Sequence, residues 1–133
     1  ERRRACGLLL YSTLKITRED KQRQLDQWAL NYQAFNAPVI LLFFMDNFLQ
    51  KGSYMDCGMF IQSIMLSAVE HGLATCPQAA LGEYPDIIRE ELSYAEDKLL
   101  LCGMALGYED KSEIVNSYRT PRKELDKMVR YFS

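Results

Sequence analysis

Residues 75–80 are the stretch whose residue types and spacing most suggest binding chemistry. Pro77 fixes the direction in which the chain enters this stretch, and the small residues Ala79 and Ala80 leave successive backbone amides uncovered. Such amides can approach a flat ring and donate hydrogen bonds to its acceptor atoms. Composition alone favours a plain connection between two helices, so both interpretations stand at this point.

Two arginines, Arg119 and Arg122, form a second candidate site near the C-terminal end of the sequence. They flank Thr120-Pro121, a favoured order for opening a helix. A helix N-terminus that carries guanidinium groups can bind a phosphate or a carboxylate. Solvated surface charge is the alternative. The apolar face of this predicted last helix comprises Leu125, Met128, Val129 and Phe132.

Single cysteine and histidine residues give weaker evidence for a catalytic site. Cys76 could act as a nucleophile only beside a general base, and the sequence supplies none near it, so a thiol enzyme ranks below a buried structural thiol. The one histidine, His71, is typical of a dipole-stabilised cation at a helix C-terminus. There is no Ser–His–acid set, P-loop, dinucleotide glycine motif or metal-ligand spacing. No catalytic residue and no metal site is therefore predicted.

Length, charge and cysteine content narrow the class of protein. The sequence has 133 residues, enough for a single domain over residues 1–133, with 48% hydrophobic residues and a net charge of −2. That charge argues against a nucleic-acid partner. No apolar run reaches the ~20 residues that span a bilayer, so no membrane partner is expected. The four cysteines are dispersed in apolar contexts, which predicts reduced, buried thiols and a cytoplasmic location.

The element expected to position the first candidate site is a long apolar helix between Ser53 and Gly72. Ser53 followed by Asp56 is a capping-box pattern, and Gly72 lies where a helix stops in a left-handed turn. Apolar residues occupy most sides of this helix, which is typical of a helix buried on most sides. Because the chain is short, we expect a second copy of it to supply the covering surface.

Two continuous apolar runs, residues 39–45 and 99–108, predict strands that are covered on both faces and central in a sheet. Gly103 and Gly107 in the second run indicate a close approach or a bulge. Thr17 followed by Asp20 predicts a helix that runs to about residue 35, and residues 84–92 predict a short helix opened by proline. The expected fold class is α+β, a central sheet flanked by helices.

From residue 37 onward, the sequence resembles the FMN-dependent nitroreductase family, and most closely its nitrobenzoate-type reductases. The matching stretches are Ala37-Pro-Val-Ile-Leu-Leu-Phe-Phe44, Asp56-Cys-Gly-Met-Phe-Ile-Gln-Ser-Ile-Met-Leu66, His71-Gly-Leu-Ala-Thr-Cys-Pro-Gln78, Cys102-Gly-Met-Ala-Leu-Gly-Tyr108 and Val115-Asn-Ser-Tyr-Arg-Thr-Pro-Arg122. Their common order makes the resemblance specific, and a looser likeness extends back to residue 4.

The resemblance implies a homodimer with FMN at the subunit interface of a nitroreductase-like sandwich. Pro77 and Gln78 would flank the flavin ring, and the amides of Ala79 and Ala80 would face flavin N5 and O4. Arg122 and Arg119 would match the family's phosphate-binding position. The flavin would take a hydride from NAD(P)H and pass electrons to a nitroaromatic or quinone substrate.

Two departures from the family pattern accompany the resemblance. Alanines stand at positions 79 and 80, where many relatives carry glycine. The resemblance also implies an N-terminal arginine-serine-rich phosphate motif, for which we find no counterpart in these residues, and the arginines at positions 2 to 4 are not expected to replace it. We therefore expect either a fragment of a longer protein or a shortened family member that binds FMN less tightly. The alternative function is therefore a cofactor-poor dimerisation or ligand-binding module without catalytic activity.

Overall fold

The computed structural model describes residues 2–132, apart from the side chain of Arg3. The elements are α1 (Arg2–Thr13), α2 (Lys21–Ala29), β1 (Val39–Asp46), α3 (Lys51–Glu70), β2 (Ala74–Gln78), α4 (Pro85–Leu92) and β3 (Lys98–Gly107). Short 3₁₀ turns lie at Ala34–Asn36, Ala79–Gly82, Ile114–Asn116 and Leu125–Lys127. Helices combined with an antiparallel sheet make an α+β fold, which confirms the expected fold class.

The chain divides into two compact units. Leu25–Glu109 forms the sheet unit, which contains β1 to β3, α3 and α4. Glu1–Gln24 together with Asp110–Ser133 forms the terminal unit, which contains α1. The candidate ring-facing residues belong to the sheet unit, whereas the two candidate arginines belong to the terminal unit.

The sheet has the strand order β1-β3-β2, and both pairings are antiparallel. β3 is the central strand, and Leu100, Met104 and Ala105 on it are buried, as its apolar run predicts. The prediction that β1 is also central and covered on both faces is wrong, because β1 forms an edge of this sheet and its Val39 and Ile40 are exposed. An apolar run records a preference for burial but not which strands lie beside it.

The stretch expected to be a connection after the long helix is instead strand β2. Residues Ala74 to Gln78 pair with β3 from Gly107 to Gly103. Pro77 lacks an N–H donor, and an edge strand such as β2 is where a sheet tolerates proline. The interpretation of residues 75–80 as a plain connection is therefore wrong, and the irregular part is confined to the turn Ala79–Gly82.

Helix α3 begins earlier than its sequence predicts. Its first residue is Lys51, and the preceding residue, Gln50, makes no side-chain capping hydrogen bond. The predicted capping box of Ser53 and Asp56 is therefore wrong, since both residues lie inside the helix. The start is set by the turn after β1, where the backbone amide of Leu49 donates to the carbonyl of Asp46 at 3.1 Å.

The end of α3 follows the prediction. Gly72 has a φ of +70°, the left-handed conformation that glycine adopts without a Cβ penalty. Its amide donates to the Val69 carbonyl at 3.0 Å, and the Leu73 amide donates to the Ala68 carbonyl at 2.8 Å. These two hydrogen bonds form a Schellman motif. The motif turns the chain directly into β2 and so places the candidate ring-facing residues beside β3.

One face of α3 lies against its own unit and the opposite face is open. Ala68 is the one buried residue of α3, with 7% of its surface exposed. The prediction that a second copy of the chain covers the rest of this helix stays a prediction, because the sheet of its own unit covers only one face. The opposite face, the outer seam of α3, is 60% to 70% exposed. The outer seam consists of Met55, Met59, Leu66 and Val69.

Two other predicted helices are shorter or absent. α2 ends at Ala29 rather than near residue 35. The amides of residues 31 to 33 each donate to the carbonyl three residues back, and Ala34, Phe35 and Asn36 then adopt left-handed φ values of +47°, +53° and +60°. The helix predicted after Thr120 is wrong, since only the 3₁₀ turn Leu125–Lys127 is present. The apolar residues of that segment are exposed, and a short helix without packing of its apolar face is marginal in water.

Candidate functional site

Turn Ala79–Gly82 is anchored to the central strand through Leu81. Leu81 is buried, and a Cβ atom built on Gly103 would lie 2.4 Å from its Cδ1 atom. A Cβ on Gly82 would lie 3.0 Å from the Leu101 carbonyl oxygen. The turn therefore lies directly against β3. Both glycines predicted to mark a close approach do so, since a Cβ on Gly107 would lie 2.8 Å from the Cδ atom of Pro38.

Gln78 is the last residue of β2 and is buried, with 4% of its surface exposed. Its side-chain nitrogen Nε2 donates to the backbone carbonyl of Asn31 at 2.9 Å. Its side-chain oxygen Oε1 is buried and has no hydrogen-bond partner among the described residues. A buried acceptor without a donor lowers the stability of the folded chain, so a hydrogen bond to this atom would be stabilising.

Asn31 lies in a turn whose hydrogen bonds fix the carbonyl that accepts from Gln78. Its side-chain Nδ2 donates to the Trp28 carbonyl at 3.0 Å, and its own carbonyl also accepts from the Ala34 amide at 3.2 Å. The left-handed residues that follow are unusual for non-glycine residues and turn the chain sharply toward β1. The segment after α2 is thereby tied to the end of β2.

A second hydrogen bond joins the same two segments. The Tyr32 hydroxyl donates to the Glu83 carboxylate at 3.0 Å, and the Tyr32 ring lies 5.7 Å from that of Tyr84, centroid to centroid. Desolvation and the Glu83 carboxylate raise the pKa of Tyr32 to about 12, so this hydroxyl stays protonated at neutral pH. An apolar cleft of about 410 Å³ lies beside it. Its lining residues are Tyr32, Leu81, Tyr84, Ile87 and Ile88.

The other ring-facing candidates are accessible. Pro77 and Ala79 are exposed and Ala80 is half-buried, so a flat ligand can reach the backbone at this point. Cys76 is also exposed, and the other three cysteines are half-buried, so the prediction of buried thiols is wrong. Partial desolvation nevertheless raises the pKa of the Cys76 thiol. A raised pKa opposes nucleophilic catalysis, which requires the thiolate.

Both candidate arginines are exposed in the terminal unit. Arg119 donates to the carbonyls of Asn116 and Tyr118, each at 2.9 Å. The Arg122 guanidinium donates to the backbone carbonyl of Thr120 at 3.0 Å and to the Thr120 hydroxyl oxygen at 2.8 Å. Because no helix begins at Thr120, the predicted contribution of a helix N-terminus is absent, and any anion binding there depends on the guanidinium groups.

Arg122 has cationic neighbours that the sequence did not suggest. A cleft of about 380 Å³ in the terminal unit is lined by Arg2, Ala5, Pro121, Arg122 and Lys123. Arg2 stands at the first position of α1, where the helix dipole adds further positive potential. One of the N-terminal arginines therefore lines the same cleft as Arg122. Arg119 is not among the residues that line this cleft.

Two contacts of this site escaped sequence reasoning. The pairing of Gln78 with Asn31 joins positions 47 residues apart and leaves no local pattern. The Tyr32–Glu83 contact joins positions 51 residues apart. Only the anchor at Gly103 had a signal, a glycine inside an apolar strand.

Two further findings concern the described residues as a whole. Between residues 2 and 132, no group of three or more histidine, cysteine or acidic side chains is arranged to hold a metal ion. In the same part of the chain, no helix has both the length and the apolar composition that a membrane crossing requires.

Comparison with known proteins identifies a family and relatives that this chain resembles. The family model described as "Nitroreductase family" matches residues 2–108. The 4-nitrobenzoate reductase of Pseudomonas putida is 38% identical over 123 residues, which cover 92% of this chain and 54% of that protein. The nitroreductase NfnB of Mycolicibacterium smegmatis is 34% identical over 131 residues, covering 98% and 56%. The chain spans about half the length of these curated relatives.

Solved structures agree with the sequence comparison. The FMN and NADPH-dependent nitroreductase NfnB from Sphigopyxis sp. strain HMH has a TM-score of 0.96 and 38% identity, covering 99% of this chain and 59% of that one. The FMN-dependent NfnB from Mycobacterium smegmatis, solved in complex with NADPH, has a TM-score of 0.92 and 33% identity, with the same coverage. The family match over residues 2–108, at this level of identity, shows that the chain belongs to the nitroreductase family.

Proposed function

We propose that the protein containing this chain is an FMN-dependent oxidoreductase that transfers electrons from NAD(P)H to a nitroaromatic or quinone-like acceptor. The observation that carries the proposal is the TM-score of 0.96 to an FMN and NADPH-dependent nitroreductase over 99% of the chain. Bound FMN supplies the two-electron redox chemistry, and the chain binds and orients it.

The end of β2 fits the ring of such a cofactor. Its backbone is accessible at Pro77 and Ala79, and Gln78 holds a buried acceptor oxygen without a partner among the described residues. A flavin ring presents acceptors to the amides of Ala79 and Ala80, as the family resemblance implies. Amide donors held near such acceptors stabilise the electron density that reduction adds to a ring.

The cleft around Arg122 fits the phosphate of FMN. Three cationic side chains, those of Arg2, Arg122 and Lys123, line it, and guanidinium groups bind phosphate through charge-assisted hydrogen bonds. Arg119 lies outside this set and spends two of its donors on nearby carbonyls. We therefore assign the phosphate role first to Arg122 and treat Arg119 as an auxiliary contact.

We propose that the protein is a homodimer that pairs through the outer seam of α3. This seam presents four large apolar side chains at helical spacing, and exposed apolar patches of this kind mark association surfaces. We also propose a cytoplasmic location, which is supported by the cysteines of the described residues being free thiols.

Flavin content tests the function directly. The intact gene product should purify yellow, with about one FMN per subunit, and should oxidise NADH or NADPH when a nitroaromatic acid is added. Light scattering on the same preparation distinguishes monomer from dimer. Colourless protein that remains dimeric in added FMN would contradict the oxidoreductase and favour the cofactor-poor module.

A further inference from the structure

We propose that Cys57 of α3 and Cys102 of β3 form a thiol pair that a disulfide oxidant closes into an intramolecular disulfide. Both are free thiols in the structure and both are half-buried. A strand pairing, a ring contact and the helical repeat of α3 place the two residues on facing surfaces of the helix and the sheet. The inference goes beyond the proposed function and does not depend on flavin binding.

Cys102 lies on the face of the sheet that α3 covers. It pairs with Phe43 across the β1–β3 ladder, and directly opposed residues of an antiparallel pair point to the same face. The Phe43 ring lies 6.3 Å from the ring of Phe60 on α3, centroid to centroid, in an edge-to-face arrangement. The next residue of β3, Gly103, faces the turn Ala79–Gly82. Because side chains alternate along a strand, both observations direct Cys102 toward α3.

Cys57 is the residue of α3 that faces Cys102. It precedes Phe60 by three positions, so the two side chains lie on the same side of the helix, one turn apart. Cys57 is half-buried, whereas residues 54–56 and 58–60 are exposed, so the inward side of this turn is centred on Cys57. Desolvation and the neighbouring Cys57 raise the pKa of the Cys102 thiol, as expected for two thiols that interact electrostatically.

The sheet unit contains one further cysteine, Cys76, and the fold separates it from this pair. Cys76 pairs with Ala105 of β3, and Ala105 lies three positions from Cys102 along the strand. Side chains an odd number of positions apart point to opposite faces of a sheet, so Cys76 lies on the face away from α3. The fold therefore selects Cys102 as the partner of Cys57, although Cys76 is nearer to Cys57 in the sequence.

Glutathione disulfide is an oxidant of the required class. Cys57 loses its proton to solvent, and its thiolate attacks one glutathione sulfur; the glutathione S–S bond breaks, and one glutathione leaves as a thiolate that takes a proton from solvent. Cys102 then attacks the Cys57 sulfur of this mixed disulfide, and its proton passes to the second departing glutathione. Two protein thiols are thus oxidised, and one glutathione disulfide is reduced to two thiols. The raised pKa of Cys102 makes it the second thiol to react.

The test oxidises the intact gene product with glutathione disulfide, once in native buffer and once in urea. Remaining thiols are blocked with N-ethylmaleimide, and peptides digested without reduction are identified by mass spectrometry. In native buffer, the peptide that joins Cys57 to Cys102 should be the main cross-link. In urea its yield should fall severalfold, because loop closure in an unfolded chain favours Cys76, which is nearer in sequence to both cysteines.

Two variants accompany the wild type. Cys102→Ser should stop the reaction at the mixed disulfide, so that Cys57 carries one glutathione, whereas the control Cys76→Ser should keep the native cross-link in full. The inference is overturned if no peptide joins Cys57 to Cys102 in native buffer, or if Cys57 joins Cys76 there as readily as in urea. The wild-type comparison needs no mutation, so it remains decisive if a variant does not fold. Neither readout involves flavin, so its failure leaves the proposed function standing.

Discussion

The side chain of Leu81 occupies the space that a side chain at position 103 would need, and Gly103 leaves that space free. A Cβ atom on Gly103 would lie 2.4 Å from Cδ1 and 2.9 Å from Cβ of Leu81, distances at which one group must move. The missing side chain in the central strand is therefore what lets the turn Ala79–Gly82 lie on β3. A residue in the core of the sheet thus controls where the candidate ring-facing amides stand.

We expect Gly103→Ala to displace this turn. Overpacking should lower the free energy of unfolding by about 1–3 kcal/mol, and FMN binding should weaken because Gln78 and Ala79 move. Urea unfolding and flavin titration measure the two effects. Gly7→Ala is the control: nothing lies within 4 Å of its added Cβ in α1, so it should keep or raise stability. Wild-type stability and FMN affinity in Gly103→Ala would show that Leu81 can move freely.

A charge in the outer seam of α3 should prevent dimerisation. Leu66 is 63% exposed in the single chain, and Leu66→Glu would bury an unpaired carboxylate if a second copy covers the seam. We expect association to weaken roughly hundredfold, as seen by light scattering over a range of concentrations. Leu92→Glu is the matched control, since Leu92 at the end of α4 has a similar exposure of 57%. An undisturbed dimer in Leu66→Glu would place the interface elsewhere.

Arg122→Ala should weaken FMN binding by about 1–3 kcal/mol, the scale of a lost charged hydrogen bond. Riboflavin, which lacks the phosphate, should bind the variant and the wild type equally. Lys111→Ala, another exposed cation of the terminal unit, controls for net charge. Equal losses for FMN and riboflavin would remove Arg122 from the phosphate role.

The thiol of Cys76 should react slowly at neutral pH despite its exposure. Its pKa is raised by partial desolvation, so less thiolate is present than in a small model thiol. Alkylation by iodoacetamide, followed by peptide mass spectrometry, should be slower than that of glutathione at pH 7 and should accelerate in alkaline buffer. Cys76→Ser should retain flavin and reductase activity. Rapid neutral alkylation together with an inactive serine variant would revive the thiol-enzyme hypothesis.

The hydrogen bond from Tyr32 to Glu83 should make stability depend on alkaline pH. The pKa of Tyr32 rises from 10.0 to about 12 in the folded protein, so the folded state holds this proton more tightly than the unfolded state. The resulting stabilisation is complete below pH 10 and is lost as pH rises toward 12. Tyr32→Phe should therefore lose less stability across this interval than the wild type. Tyr131→Phe, at an 83% exposed position, should follow the wild type; identical slopes for all three proteins would disprove the coupling.

Local pattern along the chain was sufficient for the elements with strong signals of their own. The apolar runs of β1 and β3, the long helix ending at Gly72, and proline at the start of α4 are all present in the structure. Caps and ends were less predictable: the Ser53–Asp56 pattern lies inside α3, and no helix follows Thr120. A cap stabilises a helix by little, whereas neighbouring turns and packing surfaces decide where it begins and whether it forms.

The sequence by itself determined the family, the α+β class and the short list of candidate residues, because these depend on residue types in a fixed order. Only the tertiary structure decided that β3 rather than β1 is central, and that residues 74–78 join the sheet. It also decided that Gln78 contacts Asn31 and that Arg2 and Arg122 line the same cleft. Strand neighbours, buried hydrogen bonds and charge clusters depend on residues far apart in the chain, which no local pattern specifies.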